Sequence, residues 1–252
     1  MAKVALERVD AWLAKELGTD GFCDVSHNGL QVANGGWVSR VMVGVDASLP
    51  LLEMAAARGA DCILAHHGLS WGDSLARLVG RNYDLVHAAM AHGIAVFGYH
   101  LPLDASLKYG NNAELARRLG VQGVRRWFAY HGQTIGVRGA LDEDFSAFCD
   151  RVEKLLGNEL AVAQFGSDRV RRIGIVSGGA GDGVEQAVAA GIDTFLTGEQ
   201  SLIGWNLAEH HKINVIFGGH YATECFGIQA LGDALGKKFH LPVEFVDFGV
   251  PV

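Results

Sequence analysis

An internal repeat constrains the fold of this 252-residue chain more than any other feature. Residues 40–64 align with residues 172–196 without a gap, and in each copy an apolar run precedes a helical stretch and a second apolar run. The turn residues Gly59 and Asp61 recur at the equivalent positions of the second copy. Each copy continues into another helical stretch and a third apolar run. This order predicts an α/β fold of two interlinked, related halves with mostly parallel strands.

The two predicted halves differ in content. We place the first half at 1–125 and the second at 126–252. The stretch 125–169 has no counterpart in the first copy, and it carries alternating residues at 134–139 and an amphipathic helical pattern at 144–156. We therefore interpret it as a linking α+β segment that precedes the second copy.

Composition excludes several classes of protein. Hydrophobic residues make up 49% of the chain and charged residues 19%, which is typical of a globular protein and excludes a disordered one. The formal net charge of −7 disfavours non-specific binding of nucleic acid across the surface. No apolar stretch approaches the roughly 18 residues that cross a bilayer, so we expect no membrane association.

The N-terminus and the cysteines indicate a cytoplasmic protein. Residues 1–16 predict an amphipathic helix and lack the apolar core of a signal peptide. The cysteines are scattered and form no Cys-x-x-Cys pair, so we expect buried thiols in a reducing compartment rather than disulfides or metal ligands. The four cysteines are Cys23, Cys62, Cys149 and Cys225.

Three clusters of candidate metal ligands follow strand-like runs. His66 and His67 close the second apolar run of the first copy, and ligand sites of α/β sheets lie at such strand ends. The other two clusters share one pattern, in which an apolar run and a Gly precede a His with a carboxylate four residues later. This pattern pairs His100 with Asp104 and His220 with Glu224.

Together the clusters offer four imidazoles and two carboxylates, and this mixture suits Zn, Fe, Mn, Co or Ni better than a structural zinc site, which prefers thiolates. Adjacent strand residues point to opposite sides, so His66 and His67 could each serve one of two neighbouring ions. A shared carboxylate would complete a two-metal hydrolytic site. Taken singly, Asp104 as a cap and Glu224 in a first helical turn are the simpler alternatives.

Two further features of the second copy concern catalysis and binding. Glu199 occupies the place that His66 and His67 hold in the first copy, which suits a partner of a metal ligand or a general base. The alternative is a solvated Glu at the start of a helix. The Gly-rich loop 177–183 could cradle a phosphate on backbone N–H groups, although it matches neither a Walker nor a Rossmann motif.

These residues, with several flanking motifs, resemble the GTP cyclohydrolase 1 type 2 homolog family, the YbgI-like dinuclear-metal proteins. The resemblance covers most of the chain and is weakest at 127–168. The matching motifs are Asn28-Gly29-Leu30-Gln31-Val32, Gly44-Val45-Asp46-Ala47-Ser48, Ala65-His66-His67-Gly68, Gly98-Tyr99-His100-Leu101-Pro102-Leu103-Asp104-Ala105, Gly110-Asn111-Asn112, Ser177-Gly178-Gly179, Thr197-Gly198-Glu199 and Gly219-His220-Tyr221-Ala222-Thr223-Glu224.

The resemblance implies a dinuclear metal site between the two halves, which holds two divalent ions per chain with Glu224 bridging them. It places His100 beside the site, and we assign catalytic roles to His100 and Glu199. The resemblance also implies a homohexamer, because the family is similar to ring-shaped hexamers whose metal sites face an interior cavity. Tyr221 stands where the family motif often has another His, so no second imidazole acts there. The five implied ligands are His66, His67, Asp104, His220 and Glu224.

We interpret the chain as a metal-dependent hydrolase with a small-molecule substrate, for which the family name suggests a nucleotide. The ions would bring the pKa of a bridging water near neutrality. The main alternative is a non-enzymatic metal-binding scaffold, metal carrier or regulatory assembly protein. A third is an oligomeric nucleic-acid-binding ring, which the net charge disfavours unless Arg169, Arg171 and Arg172 line a channel.

Overall fold

A computed structural model describes residues 3–251 of the chain, which divides into two units. Unit 1 comprises Met1–Leu103 and Ile228–Asp247, and unit 2 comprises Asp104–Gly227 and Phe248–Val252. The mixed α/β class predicted from the repeat is confirmed. Among the described residues, no helix combines the length and the apolar character that a membrane span requires.

The helices follow the predicted positions, with shifts of a few residues at their ends. The N-terminal helix begins after a short strand, and Met1 and Ala2 of the predicted 1–16 helix lie outside the described residues. The helices are α1 (Leu6–Leu17), α2 (Leu49–Ala57), α3 (Arg81–Ala91), α4 (Leu101–Asp104), α5 (Asn111–Arg118), α6 (Phe145–Leu156), α7 (Val184–Ala189), α8 (Leu202–His211) and α9 (His220–Phe239).

The strands include every apolar run of the repeat. They are β1 (Val4–Ala5), β2 (Gly29–Val32), β3 (Trp37–Val38), β4 (Val41–Asp46), β5 (Cys62–His67), β6 (Ala95–Gly98), β7 (Gln122–Tyr130), β8 (Gln133–Asp144), β9 (Ala161–Gln164), β10 (Arg169–Val176), β11 (Thr194–Thr197), β12 (Asn214–Phe217) and β13 (Val243–Phe245).

Each unit is built on one main sheet with the same central arrangement. In unit 1 the strand order is β13-β4-β5-β6-β2, and in unit 2 it is β7-β8-β10-β11-β12-β9. The central strands β4-β5-β6 and β10-β11-β12 run parallel, and an antiparallel strand closes each set at one side. Unit 2 has more antiparallel pairs because the linking segment supplies β7, β8 and β9.

The repeated Asp performs the same task in both units. Asp61 accepts hydrogen bonds from the backbone N–H groups of Ser39 and Arg40, which lie just before β4. Asp193 accepts from the N–H groups of Arg171 and Arg172 in β10. The strand registers agree as well, since Val41 pairs with Cys62 and Ile173 with Thr194 at aligned positions of the repeat. The sequence repeat is therefore also a structural repeat.

The linking segment begins and ends its helix with ordinary caps. Asp144 is the N-cap of α6, and its carboxylate accepts a hydrogen bond from the backbone N–H of Ala147. Gly157 ends the helix in the left-handed conformation at φ +74°. The apolar face of α6 buries Phe148 and Val152 against the sheet of unit 2. Burial of each such side chain contributes roughly 2 kcal/mol.

The last helix differs from the prediction at both ends. The sequence predicts a helix over 225–235 with Gly236 as its cap, whereas α9 begins at His220 and continues through Gly236. A Cβ added to Gly236 would lie 2.6 Å from a side-chain carbon of Val243 and 3.0 Å from the carbonyl oxygen of Leu241. Gly236 is therefore small because the following chain packs against it, not because it ends the helix.

Candidate metal centre

Three imidazoles of unit 1 form one cluster. His66 and His67 are the last residues of β5, and His100 follows β6 directly after Tyr99. One ring nitrogen of each lies within 4.8 Å of those of the other two. The expectation that His66 and His67 point apart is wrong, since their ring centroids are 4.6 Å apart at the point where the strand ends. The three rings can therefore face one ion.

Oxygen acceptors fix the orientation of these rings. Nδ1 of His66 is 2.9 Å from the carbonyl oxygen of Tyr99, and Nδ1 of His67 is 2.9 Å from Oδ1 of Asp46. Because both oxygens can only accept, the proton of each ring sits on Nδ1 and the lone pair on Nε2. Metal-binding histidines usually hold their second nitrogen in this way.

His100 is held by the same kind of bond. Its Nδ1 donates to Oδ1 of Asp24 at 3.0 Å, and its backbone N–H donates to Oδ1 of Asn28 at 2.7 Å. The Asp24 side chain is buried, which by itself would raise its pKa. Hydrogen bonds from His100 and Asn28 outweigh burial and hold the pKa of Asp24 well below its usual range.

The wall of the imidazole cluster contains an aromatic ring that the sequence did not single out. The ring of Trp71 lies 4.9 Å from that of His100 and 5.7 Å from that of His67, measured between centroids. Its Nε1–H donates to the carbonyl oxygen of Gly68 at 2.8 Å. Gln31 accepts hydrogen bonds from the backbone next to Gly68, and a Cβ on Gly68 would collide with its amide. Gln31 thus holds the loop that carries Trp71.

Unit 2 contributes an imidazole and carboxylates. His220 and Glu224 are four residues apart in α9, and Nε2 of His220 is 3.2 Å from Oε2 of Glu224. Nδ1 of His220 donates to Oε1 of Glu199 at 2.6 Å. Glu199 lies in the turn between β11 and α8, and α8 has Ser201 as its N-cap. The alternative that Glu199 starts a helix is therefore wrong.

The Gly-rich loop after β10 lies against this pair. Gly178 has φ +68°, and a Cβ added to it would lie 2.3 Å from Oε1 of Glu224 and 3.1 Å from Nε2 of His220. Its backbone N–H donates to the hydroxyl of Thr223 at 3.1 Å. Gly179 and Gly181 line a cleft of about 230 Å³ with the carboxylates of Asp182 and Glu199. Those carboxylates disfavour a phosphate in the cleft.

Asp104 lies in a buried polar network of unit 2. Its Oδ1 accepts from the side-chain amide of Asn111 at 2.9 Å and from the hydroxyl of Ser177 at 3.3 Å. Asn112 accepts from the backbone N–H of Ser177 at 2.6 Å and donates to the carbonyl oxygen of Ile135 at 2.9 Å. The two asparagines therefore fix both Asp104 and the start of the Gly-rich loop.

The donor set fits a borderline divalent metal. Ligand atoms about 2.0–2.1 Å from a tetrahedral ion lie about 3.3 Å apart, and Nε2 of His220 and Oε2 of Glu224 have a similar separation. With the proton of His220 on Nδ1, the lone pair of its Nε2 faces the carboxylate of Glu224, and these two electron-rich groups repel each other. A cation bound by both would relieve that repulsion. Sequence reasoning did not identify Asp24, Asp46 and Trp71, although Asp46 ends β4 beside the strand that carries His67.

Tyr221 has a structural role instead of the ligand role of the family's second His. It is buried, and its hydroxyl accepts a hydrogen bond from the backbone N–H of Phe248 at 2.8 Å, so it anchors the C-terminal segment. None of the cysteines forms a disulfide, and all four lie within the described residues. Cys23 is exposed, so the expectation of buried thiols is wrong for it, because it lies in the loop that follows α1.

Several known proteins are similar to this chain over nearly its whole length. A relative from Deinococcus radiodurans called GTP cyclohydrolase 1 type 2 homolog is 36% identical and covers 98% of this chain and 94% of its own. A Yersinia pestis relative with the same name is 37% identical over 100% of both chains. The solved structure of protein ybgI, of unknown function, has a TM-score of 0.93 at 29% identity and covers 99% of this chain and 100% of that chain.

The family model described as Duf34/NIF3 (NGG1p interacting factor 3) matches residues 4–249. This match and the curated relatives confirm the resemblance that the motifs predict. The chain therefore belongs to the DUF34/NIF3 family, together with relatives named GTP cyclohydrolase 1 type 2 homolog.

Proposed function

We propose that the protein is a dinuclear, divalent-metal-dependent hydrolase acting on a small molecule. The observation that carries the proposal is that four imidazoles hold Nδ1 on an oxygen acceptor and so keep Nε2 for a metal. Such second-nitrogen bonds are frequent at metal sites. The four residues are His66, His67, His100 and His220.

The proposed ligands come from both units, as the family resemblance implies. His66 and His67 would supply nitrogen ligands, Asp104, His220 and Glu224 would supply the others, and Glu224 would be shared between the ions. When bound there, two ions would supply a water of lowered pKa and would polarise the bond under attack. The available donor types suit Zn, Fe, Mn, Co or Ni.

The chain's own residues have separate tasks in this proposal. Glu199 fixes the tautomer of His220 through the 2.6 Å hydrogen bond, and its half-exposed carboxylate can accept a proton from an incoming group. His100 lies beside His66 and His67, and Asp24 holds its ring in place. Trp71 borders the rings of His67 and His100.

The substrate class follows from the relatives' name and from the cleft of unit 2. A cleft of about 360 Å³ contains Asn158, Glu199 and Gln200, which offer hydrogen-bond donors and acceptors to a polar small molecule. If the substrate is GTP, as the relatives' name suggests, the reaction is hydrolytic opening of the purine ring. A homohexameric assembly in the cytoplasm completes the proposal.

The proposal is tested with chelator-treated protein reloaded with each metal. GTP, other nucleotides and generic phosphoesters are assayed for hydrolysis, with His67→Ala and Asp104→Ala beside the wild type. His92→Ala, an exposed histidine at the end of α3, is the matched control. We expect the two ligand variants to lose turnover and to keep the wild-type elution volume in size-exclusion chromatography. Metal-loaded wild type that turns over no compound would favour a scaffold or metal carrier.

A further inference from the structure

We propose that Arg125, Arg138 and Arg172 form a binding site for the phosphate group of a small molecule, on the sheet of unit 2 beside the end of α7. This site is separate from the metal ligands and does not depend on the proposed hydrolase activity. It is carried by strand register, by contacts at the end of α7 and by an excess of positive charge.

Strand register places the three arginines on one face. Arg125 of β7 pairs directly with Arg138 of β8. Arg172 of β10 pairs with Ala140, which is two residues beyond Arg138 in β8. Directly opposed residues have their Cβ atoms on the same face about 4.5–5.5 Å apart, and residues two apart in a strand share that face. The three side chains therefore start from neighbouring points of one surface.

Two of the guanidinium groups meet at the turn after α7. Nη1 of Arg138 donates to the carbonyl oxygen of Ala190 at 3.1 Å. Nη1 of Arg172 lies 3.3 Å from the position that a Cβ of Gly191 would occupy, and Gly191 has φ +67°. Cations are favoured at the C-terminal end of a helix, and the hydrogen bond to the carbonyl oxygen of Ala190 uses one N–H group of Arg138. The other N–H groups of its guanidinium can bind a ligand.

The protein balances the positive charge of the three arginines only in part. Like charges directly opposite on neighbouring strands destabilise a sheet, yet Arg125 faces Arg138. Within residues 3–251 the guanidinium of Arg125 has no ion pair or hydrogen bond, and the buried Nε of Arg138 has no hydrogen-bond partner. Arg172 forms an ion pair with Asp193 at 3.8 Å, a distance too long for a hydrogen bond, and the Asp193 carboxylate also accepts two backbone N–H groups. Asp193 therefore offsets one of the three positive charges. A bound anion would offset this repulsion.

The chemistry and size of the cluster favour one phosphate group. Guanidinium groups bind phosphate oxygens through two parallel N–H bonds, and several guanidiniums can share one phosphate. Carboxylates border the cluster along β8, where Asp142 pairs with Arg169 and Glu143 with Arg151. Together with the net charge of −7, these carboxylates disfavour a long polyanion such as nucleic acid.

The test measures binding of inorganic phosphate to the full chain by calorimetry, before and after chelator treatment and at constant ionic strength. We expect saturable binding that Arg125→Gln and Arg138→Gln each weaken at least about tenfold, because each removes a charge-assisted hydrogen bond. Arg126→Gln is the matched control, since Arg126 is exposed, neighbours Arg125 and pairs with Val137 on the other face. It should bind phosphate like the wild type.

Arg125→Gln keeps the test informative if Arg138→Gln fails to fold, because Arg125 is exposed. The proposal is overturned if the wild type shows no saturable binding, or if Arg125→Gln and Arg126→Gln bind phosphate equally. Loss of all phosphate binding on chelation would also contradict it, since the anion would then belong to the metals. A single-stranded oligonucleotide that binds through these arginines more tightly than phosphate does would contradict the choice of a small ligand.

Discussion

Glu199 accepts a 2.6 Å hydrogen bond from Nδ1 of His220, although 21 positions separate them in the chain. The bond joins the turn after β11 to the first residue of α9. It sets the tautomer of His220 and directs Nε2 at Glu224, 3.2 Å away. Glu199 thus orients a proposed metal ligand.

This relationship predicts the effect of changing Glu199. Loss of such a partner typically weakens metal binding about 10–100-fold, so we expect this loss in Glu199→Ala. Glu199→Gln keeps an acceptor oxygen and should weaken metal binding less. Glu209→Ala, an exposed carboxylate of α8, is the control. The measurement is a competition titration with a metallochromic chelator. Equal affinities for Glu199→Ala and Glu209→Ala would contradict the assigned role.

A pair of glycine substitutions separates backbone strain from crowding at the site. Gly178 and Gly120 have nearly the same φ, +68° and +69°, but a Cβ on Gly120 meets nothing within 4 Å. Alanine at either position should destabilise the protein by about 1 kcal/mol in urea unfolding. Only Gly178→Ala also displaces Glu224, so only this variant should lose metal affinity. Equal metal binding by both variants would show that the Gly178 contact is unimportant.

The buried carboxylate of Asp24 should matter for stability. It accepts hydrogen bonds from the ring of His100, from the side chain of Asn28 and from the backbone N–H groups of Ser26 and Leu101. Asp24→Ala leaves these donors without their acceptor, and we expect a loss of about 3 kcal/mol in the free energy of unfolding. Asp20→Ala, in the same loop but exposed, should change it by less than about 0.5 kcal/mol. Similar losses for the two variants would refute this role of Asp24.

The cysteines should differ in their reaction with a thiol reagent. Cys23 is exposed and should be labelled first, whereas Cys62 and Cys225 are buried and should stay protected in the folded protein. Burial, aided by the charges of Asp150 and Glu153, raises the pKa of Cys149 to about 11. Only about one thiol in a thousand is then ionised at pH 8, so labelling of Cys149 should rise about tenfold per pH unit. Mass spectrometry of labelled peptides checks this order, and fast labelling of Cys149 at pH 8 would contradict it.

The repeated fold could be predicted from the sequence because both copies use the same residues for the same contacts. Asp61 and Asp193 each accept two backbone N–H groups near the start of a preceding strand. The helix of the linking segment could also be predicted, since Asp144 and Gly157 are ordinary helix caps. Antiparallel pairing of β9 with β12 was not predictable, because it depends on contacts between distant parts of the chain.

Candidate metal ligands could be predicted from the sequence because they stand in recurring short motifs. Residues that act by orienting a ligand could not. His66, His67 and His100 stand in short motifs, and the structure brings their rings together. Asp24 and Asp46 act through hydrogen bonds to histidines that are 76 and 21 positions away in the chain. An isolated Asp in a loop or at a strand end has many ordinary roles, so spacing alone could not identify these partners.

The number of metal ions bound per chain tests the proposed dinuclear site most directly. Protein saturated with each candidate metal and freed of excess is analysed by elemental mass spectrometry, for the wild type, Glu224→Ala and the exposed control Glu209→Ala. We expect two ions per chain in the wild type and in Glu209→Ala, and at most one in Glu224→Ala because the shared carboxylate is lost. A wild type that holds no more than one ion under saturating metal would contradict the dinuclear site.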